Sequence, residues 1–305
     1  MNKIKVALFS TWYPLSMSRY FWEAFEDRED VELWVCGPFT GTFIPWNGGM
    51  NLPQKYVKTP DLSLDRALIG KPISSYLINN LMPWKPDLTI TIDAGWHFSD
   101  RPAGEIVAHV QTDPHVLKDF YKPIKKNNDF NFCMQAVYSE PDEHYLPYAY
   151  SPRHHYPMDL EKEYDACIIG LHYPQRTQLV NRLLKRGLKV YYDIGVVYDE
   201  YRITNNKSKV GLNWSSLLDM NARAWELAAM GLCSVQNIVP DMATFFVESD
   251  HYLGFKDIDE AEKKVMLALM DDGMRQEIGD AARRKVLPHT WNARITQILE
   301  TVRIK

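Results

Sequence analysis

A narrow charged stripe lies on a segment that is otherwise apolar. In the stretch D-M-N-A-R-A-W-E-L-A-A-M-G, helical spacing of about 100° per residue puts Asp219, Arg223 and Glu226 on one side. Charged groups on a helix that is otherwise buried need partners. Two interpretations are open. The stripe is a surface ladder of i,i+3 and i,i+4 ion pairs, or Glu226 accepts hydrogen bonds from the hydroxyls of a ribose or sugar in a cleft.

A second candidate site is the turn I-I-G-L-H-Y-P-Q-R, residues 168–176. Gly170 allows the backbone to approach a ligand closely, and Pro174 suits the first position of a helix. Arg176 then falls in the first helical turn, where a cation opposes the helix dipole. A phosphate bound at this helix N-terminus would remove the conflict, whereas the alternative is an Arg176 ion pair with a nearby carboxylate.

Acid–base candidates follow two strand-like runs in the first half of the chain. T-I-D-A-G-W-H-F places Asp93 and His97 after one run, and H-V-Q-T-D-P-H-V places Asp113 after the next. Aspartate and histidine at adjacent strand ends fit general acid–base catalysis. The alternative for Asp113 is to cap a helix that begins at Pro114.

Several common motifs are absent from the sequence. There is no G-x-G-x-x-G after a strand, no P-loop, no H-E-x-x-H, no Cys/His zinc spacing and no G-x-S-x-G. This argues against a common dinucleotide site, a P-loop kinase and a zinc enzyme. We therefore expect neither a metal nor another cofactor.

The candidate residues must be positioned by strands that alternate with helices in both halves. Strands are predicted at Lys5–Ser10, Val31–Cys36, Asp87–Asp93, Glu105–Gln111, Asn131–Tyr138, Asp165–Gly170, Leu188–Tyr192, Lys209–Asn213, Leu232–Val235 and Tyr252–Phe255. Helices are predicted at Ser18–Glu26, Ile73–Leu81, Pro174–Arg186, Met220–Met230 and Glu260–Leu269, with two more before the C-terminus. The alternation predicts an α/β fold of two Rossmann-like, doubly wound domains, with ligands at the carboxyl ends of the strands.

The domain boundary is predicted within Tyr145–Pro157, which is rich in proline and tyrosine and lacks periodicity. The expected domains are residues 1–150 and 151–290, followed by a C-terminal helix at 291–305. The segment Gly37–Pro86 reads as loops around one or two helices.

Composition limits the class of protein. The 305 residues are 46% hydrophobic with a formal net charge of −4, so bulk charge does not indicate nucleic-acid binding. The four cysteines form no C-x-x-C pair, which fits a reducing compartment. The apolar run Val6–Phe9 is short for a signal peptide, and no run reaches the roughly 20 apolar residues of a membrane span. We expect a cytoplasmic protein.

From about Tyr164 to Leu299 the chain resembles the glycosyltransferase-like family named for a spore-maturation protein (CgeB type), which is similar to GT-B glycosyltransferases. The matching stretches are D-A-C-I-I-G-L-H-Y-P-Q-R, S-K-V-G-L-N-W, D-M-N-A-R-A-W-E-L-A-A-M-G and I-G-D-A-A-R-R-K-V-L-P-H-T-W-N-A-R. The string R-x-x-E-x-x-A-x-G with a later H-T-W-x-x-R is the most specific part. In the first half the resemblance rests on T-D-P-H-V and Y-L-P-Y-A.

The resemblance implies two Rossmann-like domains that face a cleft, with a nucleotide-sugar donor held mainly by the second. The glutamate that matches Glu226 contacts the donor ribose in such enzymes. Gly170 and Arg176 match the loop at the diphosphate, and Gln236–Asp241 matches the segment that reaches the donor sugar. The implied donor-binding set is Gly170, Arg176, Asn213, Asp219, Arg223, Glu226, Asn237 and Asp241. Large retaining families carry a second glutamate eight positions before the ribose glutamate, but this chain has Leu218 there.

We therefore expect a metal-independent glycosyltransferase. The acid–base candidates found from the residues themselves, Asp93, His97 and Asp113, would serve the acceptor side. The partners of the enzyme would be a nucleotide-sugar donor and an acceptor left open among a glycan, a protein, a small molecule and a modified nucleic acid. The alternatives are a DNA-base glycosyltransferase, a sugar-nucleotide binding protein without turnover and a sugar-nucleotide epimerase.

Overall fold

A computed structural model of the chain describes residues 3–45, 49–93, 95–215 and 217–303. The chain divides into two compact units. The first comprises Met1–Pro147 together with Trp291–Lys305, and the second comprises Tyr148–Thr290. The sequence placed the first boundary after residue 150, and the structure places it after Pro147.

The first unit is built on a seven-stranded sheet in which every pair of neighbouring strands is parallel. Its strands and helices are, in chain order, β1 (Ile4–Phe9), α1 (Ser18–Glu26), β2 (Val31–Pro38), β3 (Phe43–Ile44), β4 (Met50–Asn51), β5 (Leu62–Leu64), β6 (Pro72–Ile73), α2 (Tyr76–Asn79), β7 (Leu88–Ile92), β8 (His97–Phe98), β9 (Ile106–Gln111), α3 (Pro114–Lys125), β10 (Phe130–Cys133) and β11 (His144–Tyr145). The sheet order is β11-β10-β9-β7-β1-β2-β5. Because β2 and β7 flank β1 on opposite sides, the strand order reverses between β1 and β7.

Short elements in the first unit differ from the sequence prediction. The helix predicted at Ile73–Leu81 is reduced to the single turn of α2, since Tyr76 and Leu77 are exposed and the apolar run buries no continuous face. The strand predicted to reach Tyr138 ends at Cys133, and a 3-10 turn at Ala136–Tyr138 follows it. Two further 3-10 turns lie at Gln54–Tyr56 and Arg66–Leu68.

The second unit is built on a five-stranded parallel sheet of order β13-β12-β14-β15-β16. Its elements are β12 (Tyr164–Ile169), α4 (Pro174–Lys185), β13 (Val190–Asp193), α5 (Tyr198–Asn206), β14 (Ser208–Asn213), α6 (Ala222–Ala229), β15 (Cys233–Asn237), α7 (Met242–Phe245), β16 (Leu253–Phe255), α8 (Ile258–Met270) and α9 (Asp272–Val286). The strand order reverses between β12 and β14. The two parallel sheets confirm the predicted α/β class with two doubly wound, Rossmann-like units.

Helix α6 lies closely against β14. A Cβ atom at Gly211 would lie 2.7 Å from Leu227 Cδ2, so the glycine makes room for the leucine. Gly231 follows the helix with φ +70°, a left-handed conformation that glycine adopts readily at helix ends. This packing fixes the helix that carries Arg223 and Glu226.

The C-terminal helix α10 (Trp291–Thr301) belongs to the first unit. It packs against α1, and the Trp291 ring stacks on Tyr20 at a centroid distance of 5.6 Å. Buried Arg294 donates through Nε to the Pro147 carbonyl at 2.8 Å. In the described part of the chain, no helix has the length and apolar character needed to cross a membrane.

Candidate functional site

The candidate site of the second unit begins at Gly170, directly after β12 and at the point where the strand order reverses. Gly170 has φ +145°, which side-chain-bearing residues rarely adopt. A Cβ atom here would lie 2.5 Å from Arg223 Nη2 and 3.3 Å from Arg176 Nη1. The absence of a side chain therefore lets two arginines approach the same stretch of backbone.

Arg176 is buried in the first turn of α4, with 6% of its surface exposed. Its Nε and Nη2 donate to the Trp214 carbonyl at 2.9 and 2.6 Å, and Nη1 donates to the Leu171 carbonyl at 3.1 Å. Burial, and then the charge of Arg223, lower the Arg176 pKa to about 10. The expected alternative, an ion pair with a carboxylate, is wrong for the described residues, because the acceptors are backbone carbonyls.

Arg223 comes from the first turn of α6 and is half-buried. Its Nη2 donates to the Ile169 carbonyl, and its Nη1 donates to Asn213 Oδ1 at 3.3 Å. Its buried Nε has no hydrogen-bond partner among the described residues. No ion pair to Arg223 is formed within the described residues, so both arginines keep unneutralised charge next to Gly170.

The surface ladder suggested for the charged stripe does not form. Asp219 instead accepts a hydrogen bond from the Ser215 hydroxyl, and its backbone N–H donates to Ser215 Oγ at 2.9 Å. Arg223 turns toward β12 and β14, as described above. The three charges of the stripe thus point to different partners, which overturns the ladder interpretation.

Amide side chains fill the space between β14 and its neighbours. Asn213 is 4% exposed and exchanges hydrogen bonds of 3.1 Å with Asn221 in both directions, and it donates to Gln236 Oε1 at 3.1 Å. Asn237 accepts from the Ser215 backbone N–H at 2.7 Å and donates to the Ser215 carbonyl at 3.0 Å. These bonds fix the loop after β14.

Asp241 is buried, with 4% of its surface exposed, at the start of α7. The structure thus places Asn213, Asn237 and Asp241 at or after the carboxyl ends of β14 and β15.

Glu226 is 9% exposed and faces the segment that precedes β12. Its Oε1 lies 3.6 Å from His155 Nε2, and the His155 side chain is 1% exposed. The buried hydroxyl of Tyr201 on α5 has no hydrogen-bond partner among the described residues. Burial, and then the Glu226 charge, raise the Tyr201 pKa well above its ordinary value.

In the first unit, Tyr121 brings two of the acid–base candidates together. The Tyr121 hydroxyl donates to Asp93 Oδ1 at 2.8 Å and accepts from the Asp113 backbone N–H at 3.3 Å. Asp93 has φ +66°, a left-handed conformation that aspartate tolerates better than most residues. Asp113 occupies the N-cap position of α3, which begins at Pro114 as expected, but its side chain makes no capping hydrogen bond within the described residues.

His97 lies in β8, close to a second buried histidine. Burial lowers the His97 pKa, and its buried Nδ1 has no hydrogen-bond partner among the described residues. His109 on β9 is fully buried, and burial followed by the His97 charge lowers its pKa to about 3. Its Nδ1 bonds to the Thr91 hydroxyl at 2.7 Å. Burial therefore favours the neutral form of both imidazoles.

Sequence reasoning missed His155, Tyr201 and Tyr121. His155 lies in the aperiodic segment interpreted as a linker, and the two tyrosines look like ordinary core residues. The only signal in the sequence was the unusual H-H pair at His154 and His155. Among the described residues, no three His, Cys, Asp or Glu side chains cluster as a metal site would require.

Comparison with known proteins places these features in context. Residues 154–300 match the family model described as "Glycosyl transferase-like". The curated proteins give no match. The family match covers the whole candidate site of the second unit and supports glycosyl transfer as the general activity.

Solved structures are similar over the full length of the chain. A sucrose-phosphate synthase from Thermosynechococcus elongatus is 13% identical, with a TM-score of 0.64 over 99% of this chain and 98% of that one. An α-glucosyltransferase in complex with UDP and a 13-mer DNA is 11% identical, with a TM-score of 0.65 over 99% and 100%. A UDP-N-acetylglucosamine 2-epimerase is 10% identical, with a TM-score of 0.59 over 100% and 98%. These likenesses show a GT-B type fold.

Proposed function

We propose that the chain transfers a sugar from a nucleotide-sugar donor, and that its second unit binds the donor diphosphate beside Gly170. The observation that carries the proposal is the pair of arginines, Arg176 and Arg223, that converge on this glycine without an ion pair among the described residues. Two like charges in a partly buried place are unfavourable without an anion. A diphosphate supplies that anion.

The local chemistry suits a diphosphate in particular. A guanidinium group presents several N–H donors in one plane and pairs well with phosphate oxygens. Arg176 and Arg223 are held by backbone carbonyls, so their positions are set before a ligand arrives. Gly170 allows the phosphates to approach the backbone at the start of α4, where the helix dipole favours negative charge.

Glu226 is proposed to bind the ribose of the nucleotide. A carboxylate accepts hydrogen bonds from two vicinal hydroxyls, and Glu226 stands on the same helix as Arg223, three residues further on. The remaining members of the set, Asn213, Asp219, Asn237 and Asp241, stay proposed donor-binding residues. The hydrogen bonds of Asn213, Asp219 and Asn237 to Ser215, Asn221 and Gln236 hold the surrounding loops.

The proposed reaction breaks the bond between the anomeric carbon and the diphosphate oxygen. A new bond forms between that carbon and a nucleophile of the acceptor, whose proton passes to a base. The two arginines stabilise the negative charge on the departing nucleoside diphosphate, a role that a metal plays in other enzymes. Metal independence is part of the proposal, and Asp93, His97 and Asp113 are the proposed candidates for the base.

UDP-sugars are the first donors to test, because the α-glucosyltransferase of similar fold was solved with UDP. Its DNA ligand keeps a nucleic-acid acceptor among the options, although the net charge of −4 offers little bulk attraction to DNA. The similar epimerase keeps conversion of the donor without an acceptor as a second candidate function.

The test is calorimetric titration of ADP, CDP, GDP and UDP into the wild type and Glu226→Ala, in buffer that contains EDTA. We expect one diphosphate to bind, and Glu226→Ala to weaken it ten-fold or more, about 1.5–3 kcal/mol for a charged hydrogen bond. Glu277→Ala is the matched control, because Glu277 is an exposed glutamate on α9. The proposal would be contradicted if no diphosphate bound, or if Glu226→Ala bound the diphosphate with the affinity of wild type.

Turnover assays then separate the alternatives. Release of the diphosphate that depends on an added acceptor supports a transferase. Conversion of the donor sugar without any acceptor supports an epimerase, and tight binding with neither reaction supports a binding protein. Acceptor activity of duplex DNA that declines with salt would support the nucleic-acid alternative.

A further inference from the structure

The boundary segment before β12 holds a buried histidine that the proposed reaction does not use directly. His155 is 2% exposed, although proline and exposed residues surround it in the sequence. Its backbone N–H donates to the Ser151 carbonyl at 2.8 Å, and its Nδ1 accepts from the Ser151 backbone N–H at 3.1 Å. This tight turn fixes both the position and the orientation of the ring.

The hydrogen bond to Nδ1 also decides the tautomer. Because Nδ1 accepts a hydrogen bond from the Ser151 N–H, the neutral ring carries its own proton on Nε2. Nε2 lies 3.6 Å from Glu226 Oε1, slightly beyond a direct hydrogen bond, so the N–H group is a neighbour of the carboxylate. The donor end of His155 thus stands behind the side chain proposed to bind ribose.

Tyr201 places a second buried donor next to His155. Its hydroxyl has no hydrogen-bond partner among the described residues, and its ring packs edge-on against His155 at 5.9 Å. After burial, the Glu226 charge raises the pKa of Tyr201. A buried hydroxyl without an acceptor is costly, which favours a hydrogen bond from Tyr201 to Glu226.

The geometry points to His155 and Tyr201 as positioning residues that hold Glu226 toward the ribose and so make binding selective for ribonucleotides. The inference rests on the proposed function. Two donors behind a carboxylate restrict its rotation, so its outer face meets vicinal hydroxyls with little loss of entropy on binding. A nucleotide without those hydroxyls gains nothing from this arrangement, and its affinity is independent of the two residues.

The test uses two probes, the ribonucleoside diphosphate that binds most tightly among ADP, CDP, GDP and UDP, and its 2′,3′-dideoxy analogue. It compares His155→Asn and His155→Gln in the full-length protein. The side-chain oxygen of Asn lies about where Nδ1 of histidine lies, so it can still accept from the Ser151 N–H. The side-chain NH2 of Gln reaches about as far as Nε2, so it can still donate to Glu226. Thermal unfolding of each variant verifies that it is folded.

We expect His155→Asn to weaken the ribonucleotide roughly five-fold and to leave the dideoxy analogue unchanged, and His155→Gln to restore most of the loss. Tyr201→Phe, which removes the proposed second donor, should act in the same direction with a smaller effect. In a Glu226→Ala background, His155→Asn should cost nothing further, because it acts through that carboxylate. The control is His154→Asn, since the His154 ring packs against Tyr198 at 4.9 Å.

The outcomes separate this inference from the proposed function. If Glu226→Ala removes the preference for the ribonucleotide but His155→Asn and Tyr201→Phe do not, the inference is overturned and the proposed function stands. An equal loss for both probes would show that His155 only maintains the fold. If wild type binds the two probes equally, the ribose role of Glu226 is lost, and the inference falls with it.

Discussion

A single methyl group at Gly170 tests the proposed diphosphate site. In Gly170→Ala the new Cβ would lie 2.5 Å from Arg223 Nη2, so the guanidinium group has to move. The backbone φ of +145° also strains an alanine. We expect the affinity for the bound nucleoside diphosphate to fall at least ten-fold in calorimetric titration, about 1.4 kcal/mol or more.

Gly187→Ala controls for the strain alone. Gly187 follows α4 with φ +82°, and a Cβ there has no neighbour within 4 Å. This variant should lose about 1 kcal/mol of stability or somewhat more, and keep its affinity for the diphosphate. If both alanine variants bind equally weakly, backbone strain rather than the position of Arg223 explains the loss.

Sequence analysis selected candidate site residues that break a local rule and missed candidates that follow one. Glu226 stood out as an acidic residue on an apolar helix, and Arg176 as a cation at a helix N-terminus. Their partners could not be predicted, because they are backbone carbonyls such as that of Trp214, and His155 of the aperiodic segment. Tertiary contacts of this kind leave no periodic signal in the sequence.

At the scale of elements, helix α9 depends on a glycine for its approach to the turn after α6. A Cβ at Gly279 would lie 2.2 Å from the Gly231 carbonyl oxygen, which is backbone and cannot turn aside. In a helix interior, alanine is more stable than glycine by about 1 kcal/mol, but overpacking a side chain against backbone lowers stability by about 1–3 kcal/mol or more. We therefore expect Gly279→Ala to lower the thermal unfolding temperature in calorimetry.

Gly273→Ala in the same helix is the matched control. There a Cβ would meet only Asp271 Oδ1, at 3.4 Å, so the gain in propensity is kept. Its unfolding temperature should equal that of wild type or exceed it slightly. A Gly279→Ala protein as stable as the control would contradict the close approach of α9 to Gly231.

Elements with apolar buried faces were predicted well, and elements with polar buried faces were not. The inner strands of both sheets, such as β1, β7 and β15, are buried on both faces and read as apolar runs. Helix α1 was predicted with its observed bounds. Helix α5 was missed because its buried residues include Arg202, Asn205 and Asn206, which give no apolar period. Asn205 and Asn206 return hydrogen bonds to the preceding helical turn at 2.8 and 2.9 Å.

At the scale of the whole molecule, the first unit is completed by a helix that the chain supplies last. Trp291 is 2% exposed and packs on Phe21 at 4.9 Å, so α10 covers α1. Trp291→Ala leaves a cavity at this contact and should cost about 3–5 kcal/mol. Hydrogen exchange measured by mass spectrometry should then accelerate in β1 and α1, while β12 and β14 of the second unit keep their protection.

Asn292→Ala serves as the control, because Asn292 is the exposed neighbour of Trp291 on the same helix. Its exchange pattern should match that of wild type in both units. Equal acceleration in β1 and β12 by Trp291→Ala would contradict the assignment of α10 to the first unit alone. Faster exchange in β1 and α1 alone would mean that each sheet unfolds together with the helices that cover it. The cooperative unit of the first sheet would then include residues 3–147 and α10, which comes almost 150 residues later in the chain.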